Sequence, residues 1–226
     1  MLGSNPGRRF GLRKFSGFLG ALALTLGLVV ADGPAAAHPH VWIDLETKPI
    51  YDDAGRVTGI DIAWIFDPFY TVFAIEDKRT DDGVDQEGLV RMIGTNLQKL
   101  RPYDFFTDIR AGGAKVPLGP VETFDAGLIE DNLWMRFVVT FAEPVDPRTT
   151  SLSYAVFDPT YYIEIAYTDP AKANLEAAAP AGCSAQLEEP NPTAEAITLA
   201  QSLDRAAAGP ETLGEMFAQR VRIACN

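Results

Sequence analysis

The sequence predicts an α+β fold, in which a mainly antiparallel β-sheet or sandwich carries two or three inserted helices and a disulfide ties the C-terminal segment to the rest. Three observations support this fold class. Short stretches of alternating apolar and polar residues, typical of half-buried strands, are separated by clusters of Asp, Gly and Pro. Only three stretches follow helical spacing instead. Both cysteines lie in the last quarter of the chain.

The first predicted elements are a β-hairpin and a short helix. Residues 41–51 and 56–66 alternate as strands around the turn cluster DDAG at 52–55. Pro68 ends the second strand and is tolerated in the first turn of a helix over 69–76. The first strand therefore starts directly after the two histidines of the chain.

An acidic segment over residues 77–87 has part of the composition of a calcium-binding loop. With Gly83 placed at the invariant glycine of that motif, ligand positions fall on Lys78, Thr80 and Leu89, so the match fails. A solvated loop that leads into a helix is predicted instead.

The rest of the chain consists mainly of predicted strands, with helices before and after them. The predicted elements are an amphipathic helix at 86–100, a hairpin of strands 105–110 and 115–124, strands at 133–141, 151–157, 161–167 and 183–188, a helix at 193–207, a helical turn at 211–219 and a last strand at 221–225. Thr193 is the predicted N-cap of its helix. Strands outnumber helices, which favours the α+β class.

The first 37 residues have the composition of a secretory signal peptide. A basic start precedes an uncharged apolar run over 17–31, and the small residues at 35–37 form a cleavage site. An uncleaved membrane anchor is the alternative, although the run is shorter than a membrane span of about 20 residues. The Arg8-Arg9 pair leaves general secretion and twin-arginine export both open. We therefore expect a single exported domain over 38–226, with no stable membrane insertion after cleavage.

Two stretches, residues 65–70 and 156–162, share a pattern in which an apolar strand runs into Asp-Pro and then an aromatic pair. This echo raises the alternative of two related halves, about 38–130 and 131–226. Asp-Pro is also a common way to open a turn, which would explain the pattern without an internal repeat.

The mature chain is strongly acidic. Removal of residues 1–37 takes away four basic residues and one acidic residue, and it leaves 15 Lys and Arg against 30 Asp and Glu, a formal net charge of −15. Binding to nucleic acid or to an anionic membrane is therefore not expected.

The two cysteines, Cys183 and Cys225, are an even pair in an exported chain, and such a pair predicts a disulfide. Two thiolate metal ligands are the alternative. An oxidising compartment disfavours that alternative, because thiols are oxidised there.

The only two histidines of the chain, His38 and His40, stand at the expected mature N-terminus. Cleavage after Ala37 gives His38 a free α-amine, so three nitrogen donors fall within three residues. Pro39 has no amide proton to lose, which excludes the square-planar copper or nickel site built from deprotonated backbone amides. In an extended chain both imidazoles point to one side, about 6.5–7 Å apart, and can reach one ion. The alternative is a frayed, solvent-exposed N-terminus on which neither histidine binds a ligand.

Several motifs along the mature chain resemble those of one known family. They are HPHVW at 38–42, FDPFY at 66–70, YDFF at 103–106, FDPTYY at 157–162, and Gly182-Cys183. Together they resemble the domain-of-unknown-function 1007 family, which is described as a periplasmic component of an uncharacterised transport system associated with metal exporters and permeases. The resemblance implies a periplasmic metal-handling protein whose partner is an inner-membrane metal transporter or permease.

Two imidazoles and an amine leave room for oxygen ligands. The candidate carboxylates are Asp67 and Asp158, at strand ends in the echoed motifs, and Asp44, on the histidine side of the first strand, with Glu164 as a further choice. A nitrogen-rich, sulfur-free set suits Zn, Ni, Co or Cu(II). An Asx-turn or a helix cap is the alternative role of Asp67 and Asp158.

These observations favour a transition-metal-binding accessory protein that delivers or buffers a divalent ion for a transporter. A copper-dependent periplasmic oxidoreductase is an alternative, but it needs the two imidazoles on opposite sides of the ion, and only two positions separate them. A non-metal interaction module with idle histidines is the other alternative. The chain contains no G-x-S-x-G, H-E-x-x-H, Walker A or G-x-G-x-x-G motif, so we do not expect an enzyme.

Overall fold

A computed structural model describes residues 39–175, 182–203 and 208–225, and it confirms the α+β class with mainly antiparallel sheets. The strands are β1 Val41–Tyr51, β2 Val57–Phe66, β3 Arg79–Thr80, β4 Gly83–Val84, β5 Thr107–Ala111, β6 Ala114–Lys115, β7 Phe124–Ile129, β8 Asn132–Val145, β9 Leu152–Val156, β10 Ile163–Ala166, β11 Cys183–Glu188 and β12 Arg220–Cys225. The α-helices are α1 Pro68–Ala74, α2 Gln86–Leu100 and α3 Ala194–Ser202. Within the described ranges, no helix is long and apolar enough to cross a membrane.

The first sheet has the strand order β10-β1-β2-β8-β7. Its middle is the predicted hairpin, because β1 and β2 pair antiparallel from Ile43 opposite Phe66 onward. β8 contains the predicted strand over 133–141 and pairs antiparallel with both β2 and β7, so it lies inside the sheet. β10 returns from the far half of the chain and pairs parallel with the start of β1.

The second sheet has the order β11-β12-β9-β5-β6, and all of its neighbouring strands are antiparallel. Cys183 and Cys225 are directly opposite each other at the ends of β11 and β12. They form the predicted disulfide, which ties the last strand to the preceding one.

One hydrophobic core joins the two sheets and α2. Residues of β1 alternate between buried and more exposed positions, as the sequence predicts. The core includes fully buried side chains from both sheets and from α2, such as Phe137 of β8, Tyr154 of β9, and Leu89. Burial of these side chains removes apolar surface from water, which is the main term that stabilises the fold.

The predicted strand over residues 115–124 is wrong. Only Ala114–Lys115 pairs with β5, and regular pairing resumes at β7, which the sequence analysis missed. Pro117 and Pro120 have no backbone N–H to donate to a ladder, so the segment between them forms only an isolated bridge from Leu118 to Phe141. The acidic segment before α2 also contains more structure than the predicted loop, because β3 and β4 pair as a short ribbon.

The predicted boundaries of the other elements agree within a few residues. α2 has the predicted bounds, and Thr193 caps α3 by accepting a hydrogen bond from the Ala196 N–H at 3.2 Å. The predicted signal peptide, residues 1–37, and the end of the predicted helix at 204–207 lie outside the described residues. The division of the chain into a signal peptide and one domain, or into two related halves, stays a prediction.

Candidate functional site

The predicted ligands lie around the edge where β1 meets β10. His40 directly precedes β1, Asp44 lies within it, Asp67 follows its neighbour β2, and Asp158 lies in the connection from β9 to β10. His38 lies outside the described residues. Parallel pairing of β10 with β1 brings residues that are far apart in the sequence to the same edge of the first sheet.

The backbone of His40 extends the parallel ladder by one position. Its N–H donates to the Tyr162 carbonyl oxygen at 2.9 Å, next to the pair formed by Val41 and Ile163. The two rings of His40 and Tyr162 have centroids 4.9 Å apart. His40 is therefore held by the fold and does not belong to a free tail. Because side chains alternate along a strand, His40, Trp42 and Asp44 share the outer face of the sheet.

Asp67 caps α1 and ties the ends of β1 and β2 together. One carboxylate oxygen accepts from the N–H groups of Phe69 at 2.8 Å and Tyr70 at 2.9 Å, and the other accepts from the Trp42 N–H at 3.0 Å. The Asp67 N–H in turn donates to the Trp42 carbonyl oxygen at 2.9 Å. These contacts give Asp67 the helix-cap role that the sequence left open, and its role as a metal ligand stays a prediction.

Replacement of Asp67 by Ala is expected to lower the free energy of unfolding by about 2 kcal/mol, because three backbone N–H groups lose their acceptor. Asp67→Asn should cost less, since the amide oxygen of Asn can still accept from Phe69 and Tyr70 at the helix cap, and only the bond from the Trp42 N–H is lost. Urea unfolding of both variants measures the difference. Asp53→Ala, in the exposed β1–β2 turn, is the matched control and should leave stability nearly unchanged. Equal losses in Asp67→Ala and Asp53→Ala would contradict the capping role.

Asp158 stabilises the turn that leads into β10. Its carboxylate accepts from the Thr160 N–H and hydroxyl, both at 2.9 Å, and from the Ile163 N–H at 3.0 Å. Asp158 is only 5% exposed. A Cβ at Gly214 would collide with the Asp158 carbonyl oxygen, so the C-terminal segment packs directly on this turn. The carboxylate thus fixes the entry of β10, and an ion would have to share these oxygens with N–H donors.

Asp44 joins the outer face of β1 to the segment that follows β10. Its carboxylate accepts from the Thr168 hydroxyl at 2.7 Å and forms an ion pair with Lys172. The ammonium group of Lys172 already neutralises this carboxylate. A bound cation would have to compete with that ammonium group.

Glu164 lies beside Trp42 across the β1–β10 ladder. Burial raises the pKa of Glu164, and a hydrogen bond from the Trp42 side chain only partly opposes this increase. Asp44, Asp67 and Glu164 all line one open cleft of about 280 Å³ on this side of the molecule. The carboxylates thus share a surface, but within the described residues no three His, Cys, Asp or Glu side chains are grouped closely enough to hold a metal ion.

The sequence analysis missed a second, apolar cleft between α1 and α2. It has a volume of about 440 Å³, and its walls include Trp64 of β2, Phe73 of α1, and Lys99 of α2. One signal in the sequence pointed to this region. The short helix α1 carries large apolar residues at Phe69 and Phe73, four positions apart, and both are exposed in the structure.

Comparison with known proteins assigns the chain to a family without assigning a function. The sequence model of a family described as protein of unknown function (DUF1007) matches residues 23–225. A relative described as an uncharacterized protein from Haemophilus influenzae is 27% identical over 206 residues, which cover 90% of this chain and 98% of the relative. No solved structure matches the chain.

Proposed function

The chain belongs to the family of proteins of unknown function DUF1007, and from this premise we propose that it is a periplasmic transition-metal-binding accessory protein. It buffers a divalent ion or delivers it to an inner-membrane metal transporter or permease. The ion is the cargo, one of Zn, Ni, Co or Cu(II), and the mature N-terminal HPH segment holds it. The role is not catalytic.

One observation carries this proposal: the only two histidines of the chain flank Pro39 at the start of β1. His40 is fixed there by its backbone bond to Tyr162, which gives the proposed site a rigid base. A terminal site suits transfer of an ion, because few groups must move to release it. The disulfide supports export to an oxidising compartment, where such bonds persist.

The donors fit this class of ion only when residue 38 takes part. His40 supplies one imidazole, while the carboxylates of Asp44, Asp67 and Asp158 are engaged by Lys172 or by backbone N–H groups. His38 would add a second imidazole and, after cleavage, the α-amine. Such a nitrogen-rich set with no sulfur suits Zn, Ni, Co or Cu(II) rather than Ca or Mg. Glu164, on the same edge, is the further candidate carboxylate, and an ion would have to replace the hydrogen bond that it accepts from the Trp42 side chain.

Calorimetric titration of the chain purified from periplasm, with Zn, Ni, Co and Cu(II) in turn, tests the proposal. We expect the intact mass to be that of a chain that begins at His38. We also expect one tight metal-binding site for at least one of the four ions. His38→Ala/His40→Ala should lose this site. Binding should weaken at low pH, because protons compete with the metal for the imidazole nitrogens.

A matched control separates the amine from the imidazoles. One Leu inserted before His38 is too large for the cleavage position, so it stays on the mature chain, keeps both rings and moves the α-amine away. Affinity should then fall without complete loss. Asp67→Asn should bind nearly as the wild type does if Asp67 acts only as a cap. Tight binding that persists in His38→Ala/His40→Ala would overturn the proposal.

The two alternatives predict different results. A non-metal interaction module would show no change in melting temperature with any of the four ions, whereas an ion that binds only the folded state raises it. A copper-dependent oxidoreductase would bind Cu(II) and turn over a reductant, and our proposal predicts no such turnover.

A further inference from the structure

The apolar cleft between α1 and α2 has the size and lining of a small-molecule site. It is open over β2 and β8 of the first sheet and has a volume of about 440 Å³. Ligand pockets are typically about 300–1,000 Å³ and are mostly apolar, with a few placed polar groups. Most of this lining is aromatic or aliphatic, and the polar exceptions include Asn96 and Lys99.

Trp64 lines this cleft, and its side chain carries a buried hydrogen-bond donor without an acceptor in the part of the chain that the structure describes. Its side chain is only 2% exposed, and its indole N–H is buried without an acceptor among the described residues. The Trp64 ring packs edge-on against Phe137, with ring centroids 5.3 Å apart, and nearly parallel to Phe106, with ring centroids 6.3 Å apart. These neighbours fix its position. A buried donor without an acceptor costs about 1–3 kcal/mol, and a bound oxygen atom would remove that cost.

Lys99 gives the cleft a positive charge in a strongly acidic protein. It lies on the exposed side of α2 and lines the cleft together with Asn96, one turn earlier. Lys99 forms no ion pair with any described residue. An ammonium group beside an apolar surface attracts an anion whose body is apolar, because the charge and the hydrocarbon are both accommodated.

The α1 side of the cleft exposes a large aromatic ring. Phe73 of α1 lines the cleft, yet 77% of it remains exposed to water. A hydrocarbon that fills the cleft would cover this ring and remove its apolar surface from water.

We propose that this cleft binds a small apolar carboxylate. The hydrocarbon part lies between α1 and α2, the side chains that cover the Trp64 indole N–H shift so that one carboxylate oxygen can accept its hydrogen bond, and the Lys99 ammonium neutralises the anion. The apolar walls alone would also accept a hydrophobic peptide. The unused donor and the cation at one cleft select an anionic acceptor.

Three probes with the same ten-carbon chain test the proposal by calorimetry on the mature protein. They are decanoate, 1-decanol and decylammonium, each kept below the concentration at which it forms micelles. Decanoate should bind at one site, roughly tenfold more tightly than 1-decanol, because only the carboxylate can form an ion pair with the Lys99 ammonium group. Decylammonium should not bind, since its charge repels Lys99.

Two variants connect this preference to the named residues. Lys99→Gln should make decanoate and 1-decanol bind equally, whereas Lys48→Gln, on the exposed side of β1, should leave the preference intact. Trp64→Phe should weaken decanoate roughly tenfold, and Trp134→Phe, which does not line the cleft, should not. Thermal unfolding of each variant confirms that it folds.

Equal binding of the three probes by the wild type, or no binding of decanoate, would overturn the proposal. So would a loss in Lys48→Gln that equals the loss in Lys99→Gln. The inference is independent of the proposed metal site. His38→Ala/His40→Ala should therefore bind decanoate as the wild type does, which distinguishes failure of one proposal from failure of the other.

Discussion

Replacement of both cysteines by serine, Cys183→Ser/Cys225→Ser, is expected to lower the free energy of unfolding by about 3–4 kcal/mol. The disulfide spans a sequence separation of 42 residues, and it links the facing ends of β11 and β12 at the edge of the second sheet. Without it, the unfolded chain gains conformational freedom that the folded chain does not gain, so unfolding becomes more favourable. Urea unfolding in a buffer without reductant measures the difference between the variant and the wild type.

Two comparisons show whether the covalent bond itself is responsible. The reduced wild type should unfold at the same urea concentration as the double variant. Ser184→Ala, at the next position of β11, changes one hydroxyl without touching the disulfide, and its midpoint should stay near that of the wild type. A double variant as stable as the oxidised wild type would show that this bond does not stabilise the fold.

Replacement of Asp108 by Ala is expected to cost roughly 3 kcal/mol of stability, because the mostly buried guanidinium of Arg220 then keeps only one carboxylate among the described residues, that of Glu215 at 3.9 Å. The Asp108 carboxylate accepts from Arg220 at 2.7 Å and from Arg110 at 2.8 Å. The side chains of Asp108 and Arg220 are only 10% and 15% exposed. Asp61→Ala is the matched control, since it removes an ion pair whose Arg136 side chain is 53% exposed. That pair should contribute at most about 1 kcal/mol.

The contribution of Asp108 should also depend on pH in a defined direction. Burial by itself would raise the pKa of Asp108, but the hydrogen bonds from Arg110 and Arg220 outweigh burial, and the pKa lies below its ordinary value. A carboxyl whose pKa is lower in the folded state stabilises the fold above the ordinary pKa of about 3.9, and this contribution is lost as pH falls through the folded-state pKa.

The difference in free energy of unfolding between the wild type and Asp108→Asn should therefore be largest near pH 7 and should decrease below about pH 4. Urea unfolding of both proteins at several pH values in this range measures this difference. A difference that stays constant down to about pH 2, or one that widens with acid, would contradict the assigned direction of the pKa shift.

Local patterns in the sequence were sufficient to predict a strand or helix whose bounds follow from the spacing of its own apolar residues. The alternation of residues 41–51 predicted β1 with its observed bounds, because only one face of this strand is buried. The apolar spacing of 86–100 did the same for α2. The strand prediction over 115–124 failed because two prolines interrupt an otherwise apolar stretch, and their missing N–H groups mattered more than its hydrophobicity.

For the candidate site, the sequence supplied the residues but not their partners. It identified His40, Asp44, Asp67 and Asp158, and their positions near the β1–β10 edge follow from pairing between distant parts of the chain. The same pairing engages the Asp44 carboxylate with Lys172, a residue 128 positions away. No local pattern contains such a contact, because the separation along the chain says nothing about the separation in space.

The sequence alone determined the α+β class, the order of most elements, the cysteine pair and the location of both histidines. The tertiary structure decided which strands are neighbours, which carboxylates are already engaged, and that a cleft with an unused indole donor lies between α1 and α2. The division has a physical reason. The periodicity of a strand or helix reflects the burial of one face, so it can be read from residues that are neighbours in the sequence. A cleft or a hydrogen bond between distant residues exists only when distant segments pack together.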